Sequence, residues 1–223
     1  MVYNVGKLLK KEELSMPKVL VIYAHPLTEK GSSTHELYKH FINAYQKANP
    51  NDEVVVHNVS EYMPYPLNKF AVSIYNKKLA KCDLNVDEKR FNDARQMWID
   101  EFNHADKYVF VNPMYNLFIP AEMKSYIDMI MASHDTLHGS LNKLHGKKAI
   151  HLQASGNRYH KNAPTDDPQI KDLADEYLKM MLHVIGVDDY SSIFAEGMDV
   201  DPMNTIEILD DAFDEAEIAG QKF

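Results

Sequence analysis

The chain of 223 residues carries 33 acidic against 24 basic side chains, a formal charge of −9, and a single cysteine, Cys82. That balance argues against a nucleic-acid binder, which needs clustered Lys and Arg for its phosphate contacts, and one cysteine excludes disulfide frameworks and multi-cysteine metal sites. With 45% apolar residues the chain can bury a substantial core, and it holds no apolar run long enough to span a bilayer.

Residues 1–15 set Lys7, Lys10, Lys11, Glu12 and Glu13 around one Leu8-Leu9 pair, with no signal-peptide core, and read as an N-terminal arm. A cytoplasmic location is the expectation. Residues 16–223 read as one domain, interrupted by an insertion near 60–90. Lys18 to Ala24, K-V-L-V-I-Y-A, is a short continuous apolar run with the look of a buried parallel strand. Leu37, Phe41, Ala44, Tyr45 and Ala48 then fall at helical spacing before Pro50, and a second strand follows from Glu53 to Val59. The insertion carries Pro64, Pro66 and several tyrosines. Helical spacing returns at Phe91, Ala94, Met97, Trp98 and Phe102 and leads to a third strand, Lys107 to Asn112.

Pro120 opens a helix that turns Met123, Tyr126, Ile127 and Ile130 to one face. A fourth strand runs from Lys147 to Ala154. Asp167-Pro168 begins a helix with Ile170, Leu173, Ala174, Tyr177, Leu178, Met181, Leu182 and Ile185 inward, closed by Gly186. Tyr190 to Ala195 is a fifth strand, and Asp201-Pro202 starts the last helix, with Ile206, Leu209, Phe213 and Ala216 inward. Five apolar strands alternating with amphipathic helices define a doubly wound α/β sheet with helices on both faces. Its ligand belongs beyond the carboxyl ends of the strands, in the loops after strands one, three and four.

The first of these loops, His25 to Thr34, ends in Gly31-Ser32-Ser33-Thr34 and runs straight into a helix, where hydroxyls and free N–H groups meet the positive end of the helix dipole. A phosphate dianion fits there without a lysine. Alternatively Ser33, with Glu36 three residues on, is only a capping box. His25 adds a ring that can stack or donate. The second loop, Pro113-Met114-Tyr115-Asn116-Leu117-Phe118-Ile119, is apolar and aromatic at a strand end, which suits either a flat ring or a turn burying its own aromatics. The third, Ser155-Gly156-Asn157-Arg158-Tyr159-His160, is rich in donors; Arg158 or backbone N–H groups can meet negative charge, and His160 is either a proton relay or a surface histidine.

No G-x-G-x-x-G or G-x-x-x-x-G-K turn occurs among the eight glycines. His134, His138, His145 and His151 lack both the H-E-x-x-H glutamate and a cysteine partner, so no metal is expected. Cys82 has no adjacent base to make it a nucleophile.

Taken together, P-M-Y-N at Pro113 to Asn116 with Ile119-Pro120 after it, H-K-x-x-P-T-D at His160 to Asp166, and F-A-E-G at Phe194 to Gly197 resemble the FMN-dependent NADH:quinone oxidoreductases, also called azoreductases, over roughly Pro17 to the end. The resemblance implies a flavodoxin-like fold with strand order 2-1-3-4-5. It also implies that Ser32, Ser33 and Thr34 hold the FMN phosphate, that Pro113, Met114, Tyr115, Asn116 and Leu117 run along the isoalloxazine, and that Ser155, Gly156, Asn157 and Arg158 face its pyrimidine end. Two departures stand out. His25 in Tyr23-Ala24-His25-Pro26 is similar to related quinone reductases with a histidine on the flavin, and Ser155-Gly156-Asn157-Arg158 replaces the family's S-R-G-G, moving the arginine. The implied reaction is ping-pong hydride transfer through FMN from NADH, or NADPH, to a quinone, azo or other flat aromatic acceptor, with Tyr115 and His160 assisting protonation. The family pattern further implies a homodimer in which Tyr62, Tyr65 and Phe70 of the insertion wall the pocket or the partner contact. A flavodoxin-type electron carrier or a flavin-binding regulator without turnover would use the same pocket. A signalling receiver module does not fit, because it needs acidic residues where Ala24-His25 and Asn112-Pro113 stand.

Overall fold

A computed structural model describes residues 16–26, 31–131, 144–160 and 170–223. The arm at 1–15, His134, His138, all of H-K-x-x-P-T-D beyond His160, and Asp167-Pro168 lie outside the described residues.

Five strands, β1 (Lys18–Tyr23), β2 (Glu53–Asn58), β3 (Lys107–Pro113), β4 (Lys148–Ser155) and β5 (Asp189–Glu196), form one parallel sheet in the order β2-β1-β3-β4-β5. Helices cover both faces, so β1 and the first half of β3 are apolar on both sides rather than alternating with polar residues. Val19, Val21 and Tyr23 pack under α1 (Ser33–Ala48) and the last helix, here α6 (Thr205–Lys222). Leu20 and Ile22, one residue out of phase, pack under α3 (Val86–His104), α4 (Ala121–Met131) and α5 (Leu173–Val184).

The first helix and its partner approach closely. A Cβ on Gly220 of α6 would lie 2.4 Å from the Phe41 carbonyl oxygen of α1, so only glycine allows this contact.

Three boundaries differ from the sequence reading. The insertion contains α2 (Lys69–Leu79), and α3 begins within it, at Val86 rather than at Phe91. The cause is a capping box, in which the Asn85 side chain accepts the Glu88 N–H and the Glu88 carboxylate accepts the Asn85 N–H, each at 2.9 Å. Glu88 also receives Lys77 of α2 at 2.7 Å, tying the two helices together. The helix expected from Asp167-Pro168 starts at Leu173, because Asp172 takes the N-cap position and its side chain accepts the Asp175 N–H. Ile170 and Leu173 are therefore exposed instead of inward, and so is Ile206, which follows a 3-10 turn at Pro202–Asn204.

Gly186 closes α5 as expected. With φ of 94° it lets its own N–H reach the His183 carbonyl at 3.0 Å and the Val187 N–H reach that of Leu182 at 3.0 Å, a two-bond left-handed stop. No helix among the described residues is long and apolar enough to cross a membrane.

Candidate functional site

The order 2-1-3-4-5 reverses direction between β1 and β3, and the crevice beyond their carboxyl ends is where such sheets take a ligand. On the β1 side, Ser32 and not Ser33 is the N-cap of α1: its hydroxyl accepts the His35 N–H at 3.3 Å and lies 3.3 Å from His25 Nε2. The first-turn N–H groups of Ser33 and Thr34 precede any helical acceptor and point out of the helix end, which makes an anion seat without a lysine. Thr34 is buried and Ser33 half-buried, so the seat is built from backbone more than from hydroxyls. His25 is largely buried, edge-on to Tyr23 with ring centres 6.5 Å apart.

After β3 the chain makes a two-residue reversal. Tyr115 and Phe118 exchange N–H···O bonds at 2.9 and 3.0 Å, which forces Asn116 and Leu117 into the left-handed region, at φ of 51° and 66°. Asparagine tolerates that conformation. Leucine does not, and residues so held cost about 1–3 kcal/mol and persist only where the surroundings over-determine them. The turn presents Tyr115, 47% exposed, to solvent at the strand ends. It is anchored beneath by the Met114 N–H on the Ala154 carbonyl at 2.9 Å.

After β4, two close approaches lock the third loop to the segment after β5. A Cβ on Gly156 would lie 1.9 Å from Asp199 Oδ2, and one on Gly197 would lie 2.4 Å from Arg158 Nε, so each loop uses the space left by the other's glycine. Arg158 is thereby turned toward Asp201, 3.7 Å from Nη2. The guanidinium thus has Asp201 beside it, and the backbone N–H groups of the loop are a second set of donors at this end of the sheet.

His160 is an exposed residue whose ring is nonetheless held by three neighbours. Its ring stacks on Phe194 at 3.7 Å and 12°, Nδ1 lies 3.0 Å from Glu196 Oε2, and Nε2 lies 3.7 Å from Asp172 Oδ2. Burial disfavours its charged form, but the Glu196 hydrogen bond and the charges of Glu196, Asp172 and Asp175 outweigh burial and raise its pKa. Glu196 shows the converse: burial pushes it up, and the bonds from His160 and the Tyr159 N–H pull it further down.

Missed from the sequence was a polar layer inside the sheet. Asn112, His151 and Gln153 are buried on the α5 face of β3 and β4, where His151 bonds Asn112 Oδ1 through Nε2 and Asp175 through Nδ1, each at 3.0 Å. Asp175 in turn accepts the Tyr190 and Ser192 hydroxyls at 2.7 and 2.5 Å. The signal was present as polar residues spaced two apart in otherwise apolar strands, H-L-Q in β4, which alternation places on one face. Among the described residues no group of His, Cys, Asp and Glu forms a metal-binding cluster.

A parallel five-stranded sheet in this order, with a helix N-terminus, an exposed turn and a donor-rich loop at its switch point, defines a flavodoxin-like protein. The flavodoxin-like family model matches residues 17–218. An FMN-dependent NADH:quinone oxidoreductase of Lactiplantibacillus plantarum is 34% identical over 211 residues, covering 93% of this chain and 98% of its own length. One from Lactococcus lactis is 33% identical over 215 residues, with 93% and 100% covered. The crystal structure of an FMN-dependent NADH-azoreductase from Bacillus anthracis in complex with FMN superposes with a TM-score of 0.84 at 26% identity, over 92% of this chain and 98% of that one. The chain belongs to the FMN-dependent NADH:quinone oxidoreductase family.

Proposed function

We propose that this protein is an FMN-dependent oxidoreductase that carries two electrons from NADH to a quinone or an azo compound. The observation that carries this reading is the strained Asn116-Leu117 reversal at the switch point, an exposed apolar edge suited to lie along a flat conjugated ring. The names of its relatives support the same chemistry. FMN, when bound, would supply the redox chemistry of hydride transfer between nicotinamide and acceptor.

The protein's own residues bind and orient. The α1 N-terminus, with Ser32, Ser33 and Thr34, would take the phosphate, and His25 would border the ring system. Pro113, Met114, Tyr115, Asn116 and Leu117 would lie along the isoalloxazine. The N–H groups of Ser155, Gly156 and Asn157 would face its pyrimidine edge, where negative charge develops on reduction. Arg158 supports this loop through Asp201 and Gly197. One site would serve donor and acceptor in turn, which is ping-pong turnover. Tyr115 can give a hydroxyl proton to the acceptor, and His160, clamped by two carboxylates, acts through its charge and position.

The domain spans 16–223 behind an arm at 1–15, and a cytoplasmic location accords with one exposed cysteine. A homodimer accords with an apolar surface around α2 and α3: Tyr62, Tyr65, Phe70, Leu79, Val86 and Met97 are each more than two-fifths exposed. Sedimentation should give twice the chain mass, and a monomer at micromolar concentration would remove that assignment.

The test is the visible spectrum of the purified protein with FMN, followed by NADH without oxygen and then a quinone. Flavin bands that bleach with NADH and return with the quinone, over many turnovers, establish the enzyme. Bleaching without turnover makes it a carrier, and no flavin bands at all overturn the reading.

A further inference from the structure

Asp172 is 4% exposed, and its two oxygens meet three elements. Oδ1 accepts the Asp175 N–H of α5 at 2.9 Å, Oδ2 accepts Gln153 Nε2 of β4 at 2.5 Å, and His160 Nε2 of the loop after β4 lies 3.7 Å from the same Oδ2. From Gln153 the contacts continue: its Oε1 accepts Asn112 Nδ2 at 3.4 Å, and that amide also reaches the Pro113 carbonyl at 3.1 Å, at the root of the strained turn. The turn after β3 and the loop after β4 therefore both trace back to one buried carboxylate.

Two alternatives fail on this geometry. A helix cap alone does not explain a charge here, because asparagine caps as well as aspartate and avoids burying a carboxylate. A proton wire does not explain it either, since Asn112 and Gln153 interrupt the path with amides that do not titrate. What remains is mechanical and electrostatic: a fixed negative charge that grips an amide on one side and an imidazole on the other.

We propose that Asp172 is the positioning residue of the cofactor site, holding the turn at Pro113 through Gln153 and Asn112 and holding the loop at Ser155 to His160 through the imidazole of His160. It sets the spacing between the wall along the ring and the wall at its polar edge. The inference rests on the FMN reading above. His160 is faced by Glu196 and Phe194 of β5, Asp172 and Asp175 of α5, Arg158 of its own loop, and Asp211 and Glu215 of α6 across a cleft. Glu196 keeps a partner for His160 when Asp172 loses its charge, so the imidazole stays placed on one side and is released on the other.

The experiment compares wild type, Asp172→Asn and Asp172→Ala as full-length protein. Three quantities are read: FMN affinity by fluorescence quenching, the pH midpoint of the His160 imidazole by NMR, and melting temperature. Asp172→Asn should keep the cap and the melting temperature. It should weaken FMN binding about tenfold, the equivalent of one charge-assisted hydrogen bond, and move the His160 midpoint to lower pH. Asp172→Ala should lose all three. Wild-type FMN affinity and an unmoved His160 midpoint in Asp172→Asn overturn the inference, as does a pair of variants that differ from wild type in melting temperature alone. If the wild type takes no FMN, the functional reading falls by itself, while the His160 midpoint still decides whether Asp172 holds the third loop.

Discussion

On the face turned to α3, α4 and α5, strands β3 and β4 set Tyr108 beside Ala149 in their first halves, Phe110 beside His151 at mid-strand, and Asn112 beside Gln153 toward their carboxyl ends, and all six are buried. The first halves are held by apolar packing, including Phe102 stacked on Tyr108 with ring centres 4.4 Å apart. The carboxyl ends are held by paired donors and acceptors whose every partner has a place. Apolar packing is tolerant of small shifts and contributes by area. A buried polar layer fixes orientation, and costs about 1–3 kcal/mol for each group left without a partner. The sheet spends its tolerant half on stability and its exacting half directly beneath the loops that face the ligand.

The sharpest way to break this contrast is Phe110→Ala. A buried aromatic truncated in a packed layer should cost about 3–5 kcal/mol, seen as a large fall in the urea midpoint, while FMN affinity of the molecules that remain folded stays near wild type. Lost affinity at unchanged stability would mean that the two halves are not separable.

Asp175→Asn tests the polar half. Burial would raise the Asp175 carboxyl, but His151 and the Ser192 and Tyr190 hydroxyls overcome burial and hold it down to about 2. A carboxyl depressed from an ordinary value near 3.8 contributes stability above pH 4 and loses it as the pH falls toward 2. The variant should therefore be less stable by about 2 kcal/mol at pH 7, and its unfolding free energy should vary less between pH 4 and pH 2. An acid limb identical to wild type would show that His151 does not hold this charge.

The smallest effect is expected at the turn. Leu117→Gly removes a side chain from the left-handed region and should raise stability by about 1 kcal/mol, while weakening FMN binding because the apolar edge is lost. Stability and affinity moving together would show that the strain does not serve the ligand.

Much of this arrangement is legible in the sequence. β1 and β3 are legible as short apolar runs, and the capping box at Asn85 and Glu88 is written in the sequence, although the apolar helical spacing begins only at Phe91. Proline at 168 suggested an early helix start; the cap at Asp172 decided a later one, because a side-chain acceptor for the Asp175 N–H outranks a favourable first-turn residue. Ile206 fits an apolar helical spacing and is nonetheless 76% exposed, in the first turn of α6 directly after the 3-10 turn.

At the site the division is similar. The motif residues, Ser32 to Thr34, Pro113 to Leu117 and Ser155 to His160, are set by local sequence: a helix cap, a tight reversal and a donor-rich loop each need only near neighbours. The partners of those residues are not. Glu196 reaches His160 across 36 positions, Gln153 is 41 positions from Asn112, and Arg158 finds its place only because Gly197 leaves room for it. By itself the sequence determined the order of elements, the apolar faces and the three loops, because periodicity and caps act within one turn or one strand. Only the tertiary structure decided which charges meet, for an ion pair or a buried amide depends on strand register and helix placement that no local pattern encodes.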